Sequence, residues 1–251
     1  MNTRLFFASL MSWFFVGTAM SQTANPTISF SYYEDDESRS LTEVEMNPGE
    51  SQTQQAPLDI HLTANVEPTD ADGNVWNYTV EWRIYNSDKG ENDPVVNRFT
   101  EESDYTLTSS GGYGAKLYVT FVSADNDTTE YVSDEFKIVI SESKLTCTDA
   151  LTPNDDNIND KLVIEFQSIV KVSGGIWNRW GKKLHTFTLE NLADGWDGRY
   201  GGDYVPDGAY ILHIDAIGSD GLHYKIRKAI SVLKGFREGE SGTGTGTGNT
   251  N

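Results

Sequence analysis

The residues of this sequence whose types and spacing best suit chemistry lie in the run Asn154-Asp155-Asp156-Asn157-Ile158-Asn159-Asp160. Carboxylate and amide oxygens at near-alternating positions can ring a calcium ion, and the ligand set here would be Asp155, Asn157, Asn159 and Asp160. The glycine and the distant bidentate glutamate of an EF-hand are missing, so the favoured reading of the same letters is a series of Asx turns leading into a strand at Leu162. Calcium is kept as the minority expectation, and no other cofactor is expected. For acid-base work near neutral pH the chain offers only His61, His185, His213 and His223. His61 and His213 fall at alternating strand positions and His223 follows the turn Ser219-Asp220-Gly221, none of them in a catalytic motif. Gly-x-Ser-x-Gly, His-Glu-x-x-His and a phosphate-cradling glycine loop are all absent from the sequence. A glycosidase carboxylate pair carries no local signature, but a small sandwich has little room for a deep cleft. The expectation is a protein that is not an enzyme, with no catalytic residues.

Composition narrows the classes further. Thirty-eight acids against 19 bases give a formal charge of −19, which repels phosphate backbones and excludes nucleic acid as a partner. A single cysteine, Cys147, leaves neither an internal disulfide nor a Cys/His zinc cluster. With 37% hydrophobic and 12% aromatic residues the chain has material for a core, while a mean hydropathy of −0.48 excludes a polytopic membrane protein.

Residues 1–21 read as a signal peptide: Arg4, an apolar run from Leu5 to Val16, then the small residues Ala19 and Ser21, with cleavage expected before Gln22. No cysteine lies near that site, so no lipid anchor is expected at the N-terminus. The mature chain should leave the cytoplasm as a soluble protein.

The elements that must position these residues are strands. In residues 22–57, Ile28 to Tyr33 reads as a strand and the acidic run Glu34 to Glu37 opens a mobile segment reaching about residue 56. Over 58–145 the hydrophobic period is two: Leu58-Ile60-Leu62, Val80-Trp82-Ile84, Leu117-Val119-Phe121 and Phe136-Ile138-Ile140 each alternate with more polar neighbours. Turn residues separate them, as in Asp72-Gly73-Asn74, Ser110-Gly111-Gly112 and Asp125-Asn126-Asp127. This predicts an antiparallel β-sandwich, with Trp82 placed like the buried tryptophan of an immunoglobulin-like core. Gly112-Tyr113-Gly114 with the strand after it resembles the late hairpin of PKD-like and other Ig-like modules. Charge divides the chain as well: residues 22–145 hold 24 acids and 7 bases, residues 146–251 hold 14 and 11.

Residues 146–234 contain a second set of phrases. Leu151-Thr152-Pro153-Asn154-Asp155-Asp156-Asn157-Ile158-Asn159-Asp160 comes first, then Asn178-Arg179-Trp180-Gly181, then Trp196-Asp197-Gly198, then Pro206-Asp207-Gly208-Ala209-Tyr210. Each is turn chemistry between strands, so this part too predicts a compact β-sandwich. Taken in order, they resemble the type B C-terminal sorting domain of the Bacteroidota type IX secretion system, the gliding motility-associated C-terminal domain. The sequence departs from that pattern where glycine is expected, at Asp155 and Asn157, both of which tolerate a left-handed backbone. Residues 235–251, rich in glycine and threonine, extend past the family's usual end and should form a flexible tail.

The fold class expected is therefore all-β, two antiparallel Ig-like sandwiches in tandem after a cleaved leader. The resemblance implies export through the periplasm to the cell surface, the outer membrane or the medium, with type IX translocon or shuttle proteins as partners. It implies a partner-binding motif at Asn178, Arg179, Trp180, Gly181, Trp196, Asp197 and Gly198, with a core role for the two tryptophans an equal alternative. The whole layout is also similar to small cargoes linked to envelope signalling, which implies an envelope sensor protein as a possible partner. A surface adhesin or glycan-binding passenger is the third reading.

Overall fold

In a computed structural model of the chain, residues 22–33 and 40–234 are described. The expected leader, the acidic run Glu34 to Glu37 and the tail 235–251 lie outside the described residues. Twelve strands build the first domain: β1 (Thr23–Ala24), β2 (Thr27–Tyr33), β3 (Leu41–Met46), β4 (Ser51–Gln54), β5 (Leu58–Thr63), β6 (Val66–Glu67), β7 (Asn77–Asn86), β8 (Pro94–Arg98), β9 (Glu102–Leu107), β10 (Gly111–Val122), β11 (Thr128–Val132) and β12 (Phe136–Ile140). Nine more build the second: β13 (Lys144–Cys147), β14 (Ala150–Leu151), β15 (Ile164–Gln167), β16 (Ile169–Trp177), β17 (Lys183–Phe187), β18 (Arg199–Tyr200), β19 (Asp203–Tyr204), β20 (Gly208–Gly218) and β21 (His223–Val232). The only helical element among the described residues is a single 3-10 turn, Leu192–Asp194.

The first domain packs the sheet β3-β2-β5-β9 against the sheet β4-β12-β10-β7-β8, with β11 also paired to β10. The period-two pattern places one face of each sheet in a common core: Ile28, Leu58, Ile60 and Leu62 from one, Trp82, Leu117, Phe121 and Phe136 from the other. Burying each such side chain stabilises the fold by roughly 1.5–3 kcal/mol. Trp82 is fully buried with its ring tilted against Phe136 at 6.0 Å. The connectivity is that of an Ig-like sandwich, with β4 running parallel to the last strand β12.

The second domain repeats this plan in a smaller form. Its main sheet is β14-β21-β20-β16-β17, and β14 again runs parallel to the last strand, β21. The pair β13-β15 and the segment carrying Leu192 and Trp196 cover the other side, enclosing Leu151, Leu162, Ile176, Leu212, Ile214 and Ile230. Both domains also share a tyrosine corner. The Tyr113 hydroxyl donates to the Ser109 carbonyl at 3.0 Å and the Tyr210 hydroxyl to the Pro206 carbonyl at 2.6 Å, each four residues back at the start of a long strand.

One sequence expectation needs correction. The segment to residue 56 was expected to be mobile, yet Leu41–Met46 pairs along β2 and Ser51–Gln54 pairs along β12. Val44 and Met46 supply an alternating apolar face that packs on the core, whereas β4 has no apolar residue and is held by backbone pairing at the sheet edge.

Ser141 to Ser143 link the two domains, and the turns of the second dock on the first. Ser143 Oγ donates to Asp220 Oδ1 at 2.6 Å and the Ser143 amide to Asp220 Oδ2 at 3.2 Å. Ser219 Oγ donates to the Ser141 carbonyl, the Ser110 amide to the Ser219 carbonyl, and the Ala56 amide to Ser168 Oγ, all at 3.0–3.1 Å. Val170 packs against the core of the first domain. The packed cores divide within residues 141–144, since Leu145 belongs to the second.

Candidate recognition groove of the C-terminal domain

The phrase Asn178-Arg179-Trp180-Gly181 joins β16 to β17 as a turn organised by one side chain. Asn178 Oδ1 accepts from the amides of Trp180 and Lys182, both at 3.0 Å, while the Asn178 carbonyl accepts from the Gly181 amide. Gly181 sits at φ +78, where a side chain would be strained. The turn holds the Trp180 ring in solvent, 79% exposed, with the Arg179 guanidinium stacked over it at 5.0 Å. Tryptophan and arginine are the side chains that most often anchor protein contacts, and here the turn presents both to solvent.

Beside it, β18 and β19 form a small hairpin around Gly201 and Gly202, both at positive φ. It presents Tyr200 and Tyr204. Lys182 Nζ lies over the Tyr200 ring at 4.2 Å, and the Arg199 guanidinium covers Tyr204 at 4.0 Å. Arg199 also donates to the Tyr204 hydroxyl at 2.7 Å, which raises the guanidinium pKa further, and that hydroxyl donates to Asp155 Oδ1 at 2.9 Å. Pro206 to Tyr210 close the third side. Together these segments line a groove of about 400 Å³, with Leu184 and Val205 among its walls. Burial, aided by the negative charge of Asp207, raises the Tyr210 pKa, so its phenol stays neutral and keeps donating to Pro206.

The structure separates the seven motif residues into two groups. Asn178, Arg179 and Trp180 form one wall of the groove, and Gly181 closes the turn that carries them. Trp196, Asp197 and Gly198 lie behind it as its support. The Trp196 ring is 2% exposed, meets Tyr210 edge-on at 5.8 Å and donates through Nε1 to the Arg199 carbonyl at 3.0 Å. Asp197 Oδ1 accepts from the Arg199 amide, fixing the turn into β18. At Gly198, φ +75, an added Cβ would meet Leu151 and Pro153 side chains at 3.2 Å, so glycine there permits close packing.

The run Asn154 to Asp160 folds as Asx turns. Asp160 points its carboxylate at its own loop: Oδ1 accepts from the amides of Asn154 and Asp155 at 2.9 Å, and Oδ2 from Asn157 at 2.8 Å. Desolvation opposes ionisation there, but the backbone donors outweigh it and lower the Asp160 pKa. Asp155, Asn157 and Asn159 all take left-handed φ of 54–65°. The two residues standing where the pattern wants glycine therefore adopt the conformation glycine would supply. Asp160 is engaged by N–H donors, and Asp155 accepts from the Tyr204 hydroxyl. Among the described residues, no group of three or more His, Cys, Asp or Glu side chains is arranged to hold a metal ion.

Sequence reasoning missed Lys182, Tyr200 and Tyr204. The signal was present in Arg199-Tyr200-Gly201-Gly202-Asp203-Tyr204, where Gly-Gly between two short β-prone pairs is a hairpin pattern. Tyr210 was read as the start of a strand, without its corner hydrogen bond.

The chain is thus a nearly all-β protein of tandem Ig-like sandwiches whose second domain presents an exposed aromatic turn. The second domain identifies itself further: residues 145–229 match the family model described as the CHU_C Type IX secretion signal domain. That match is consistent with a type B C-terminal sorting domain and supports export by the type IX system to the cell surface or beyond. No curated protein matches the chain.

Similar solved structures include the fibronectin(III)-like modules of Clostridium thermocellum CbhA, at 14% identity and TM-score 0.22, covering 74% of this chain and 90% of that one. They also include the Bacteroides ovatus mixed-linkage glucan utilization locus protein SGBP-B in complex with a mixed-linkage heptasaccharide, at 16% and 0.23, covering 73% and 42%. Dimeric latent PorU from Porphyromonas gingivalis stands at 9% and 0.24, covering 84% and 30%. Among the described residues, no helix is long and apolar enough to cross a membrane.

Proposed function

We propose that this chain is a non-enzymatic cargo whose first domain is the passenger and whose second is gripped by the type IX translocon or its shuttle protein at the Trp180 groove. The observation that carries this reading is the pairing, within the matched domain, of a stiff Asn178-built turn with an exposed Trp180 stacked by Arg179. Tryptophan, tyrosine and arginine are the residues most often found to dominate binding energy, and here they line one concave surface. No cofactor takes part in this reading, and millimolar calcium should leave the thermal midpoint unchanged.

Cell fractionation tests it. Deleting residues 144–251 should leave the passenger in the periplasm, and Trp180→Ala in the full chain should lower the surface fraction of a protein that remains folded. Normal surface display of the truncated passenger would overturn the sorting role; normal export of the Trp180 variant would move recognition elsewhere on the domain. Capture by the purified full chain of an envelope sensor in place of translocon or shuttle proteins would favour signalling.

A further inference from the structure

Two sheet faces of this chain, one on each domain, carry opposite charge with matching spacing. The outer face of β3-β2-β5-β9 is an open trough of about 830 Å³. Ser29 and Ser31, small side chains on β2, form its floor. Glu45 and Glu43 stand opposite them on β3, and Asp59, His61 and Asp104 line the other side on β5 and β9. His61 Nδ1 meets Asp104 at 2.8 Å, while Glu43 and Glu45 make no ion pair among the described residues.

The outer face of β16, β20 and β21 has the reverse character. Lys171, Lys225 and Arg227 are exposed on it, and Lys183 lies over Trp177 at its rim. Its one carboxylate, Asp215, is held by His213 Nε2 at 2.7 Å. That nitrogen is also 3.2 Å from Arg227 Nε, and it can donate to Asp215 or accept from Arg227 but not both. Lys171, Lys225 and Arg227 make no ion pair among the described residues, in a chain with two acids for every base.

Lys225 and Arg227 are two residues apart on a strand, as are Glu43 and Glu45, so each pair projects to one side with the same separation of about 6.6–6.8 Å. Long cations form a ridge, and a serine floor between carboxylate walls leaves room for one. We infer that the basic face of the second domain docks into the acidic trough of a second copy of this chain. The occupant is a second copy because the trough's complement, in charge and in spacing, is on the same molecule. Two different faces meet, so the contact is head-to-tail and propagates into rings or open chains. The net charge of −19 opposes association at long range. At physiological salt that repulsion fades beyond about 8 Å, leaving the facing pairs to decide. Arg227 can engage a carboxylate through two parallel N–H bonds, which fixes register as well as charge.

The test is sedimentation of the exported full chain from low to high micromolar concentration. Concentration-dependent assembly that weakens in high salt is expected. Reversing the trough (Glu43→Lys with Glu45→Lys) or the ridge (Lys225→Glu with Arg227→Glu) should each weaken it by about tenfold or more. Mixing the two reversed proteins should restore it, since each then offers the other a complementary face. Neutral changes at the ridge (Lys225→Gln with Arg227→Gln) should give an intermediate loss, and near-ultraviolet circular dichroism checks that each variant is folded. A wild-type chain that stays monomeric throughout, assembly indifferent to both reversals, or failure of the mixture to associate would each overturn the inference.

Discussion

Two tryptophans from the same family phrases have opposite duties, and single substitutions should tell them apart. Trp180 is held out in solvent and Trp196 is packed behind it. Trp180→Ala should change stability by no more than about 0.5 kcal/mol, as for an ordinary surface substitution, while impairing export. Trp196→Ala should lose about 3–5 kcal/mol by emptying the core beneath the groove, measured by denaturant unfolding. A charged residue in the first domain offers a pH readout. Asp70 accepts from the Trp76 indole at 3.0 Å, from the Asn74 side chain and amide, and from the Asp72 amide. Led by the Trp76 bond, these donors lower its pKa to about 2 from 3.8. Because the folded value is depressed, its contribution to stability is complete above pH 3.8 and is lost as pH falls toward 2. The Trp76 indole N–H resonance should titrate with that low midpoint, and Asp70→Asn should abolish the titration.

The long strands were legible because nearly every second residue is apolar: the alternations at Leu58, Val80, Leu117 and Phe136 all face the core as the period demands. β4 was not, since Ser51-Gln52-Thr53-Gln54 carries no pattern and is specified by its partner's backbone. Half of the groove was legible as turn chemistry, which is local. The Tyr204 to Asp155 bond joins residues 49 apart and leaves no mark in either segment. The tyrosine corners were likewise hidden, because a hydroxyl reaching back four residues does not alter the strand pattern. Each ties a long strand to the loop entering it. Tyr113→Phe and Tyr210→Phe should each lower stability by about 0.5–1.5 kcal/mol, read as separate shifts of the denaturant midpoint at constant slope.

At the scale of the whole molecule, two small sandwiches meet through a junction built largely from serines and one aspartate. Asp220 accepts from both the amide and the hydroxyl of Ser143, and the Ser143 hydrogen bond is the chief cause of its lowered pKa. Asp220→Ala should uncouple the domains, splitting a single calorimetric transition into two while leaving each domain's spectrum intact. Nothing in the sequence announced this junction, because Ser219-Asp220-Gly221 is a sufficient turn without any neighbour.

The parallel placement of β4 on β12, repeated by β14 on β21, has a mechanical corollary. In the second domain β14 lies near the entry and β21 near the exit, whereas β1 to β3 precede β4 in the first. A pull applied to the two ends of the second domain therefore strains the β14-β21 backbone bonds sideways and together, where a hairpin would unzip one bond at a time.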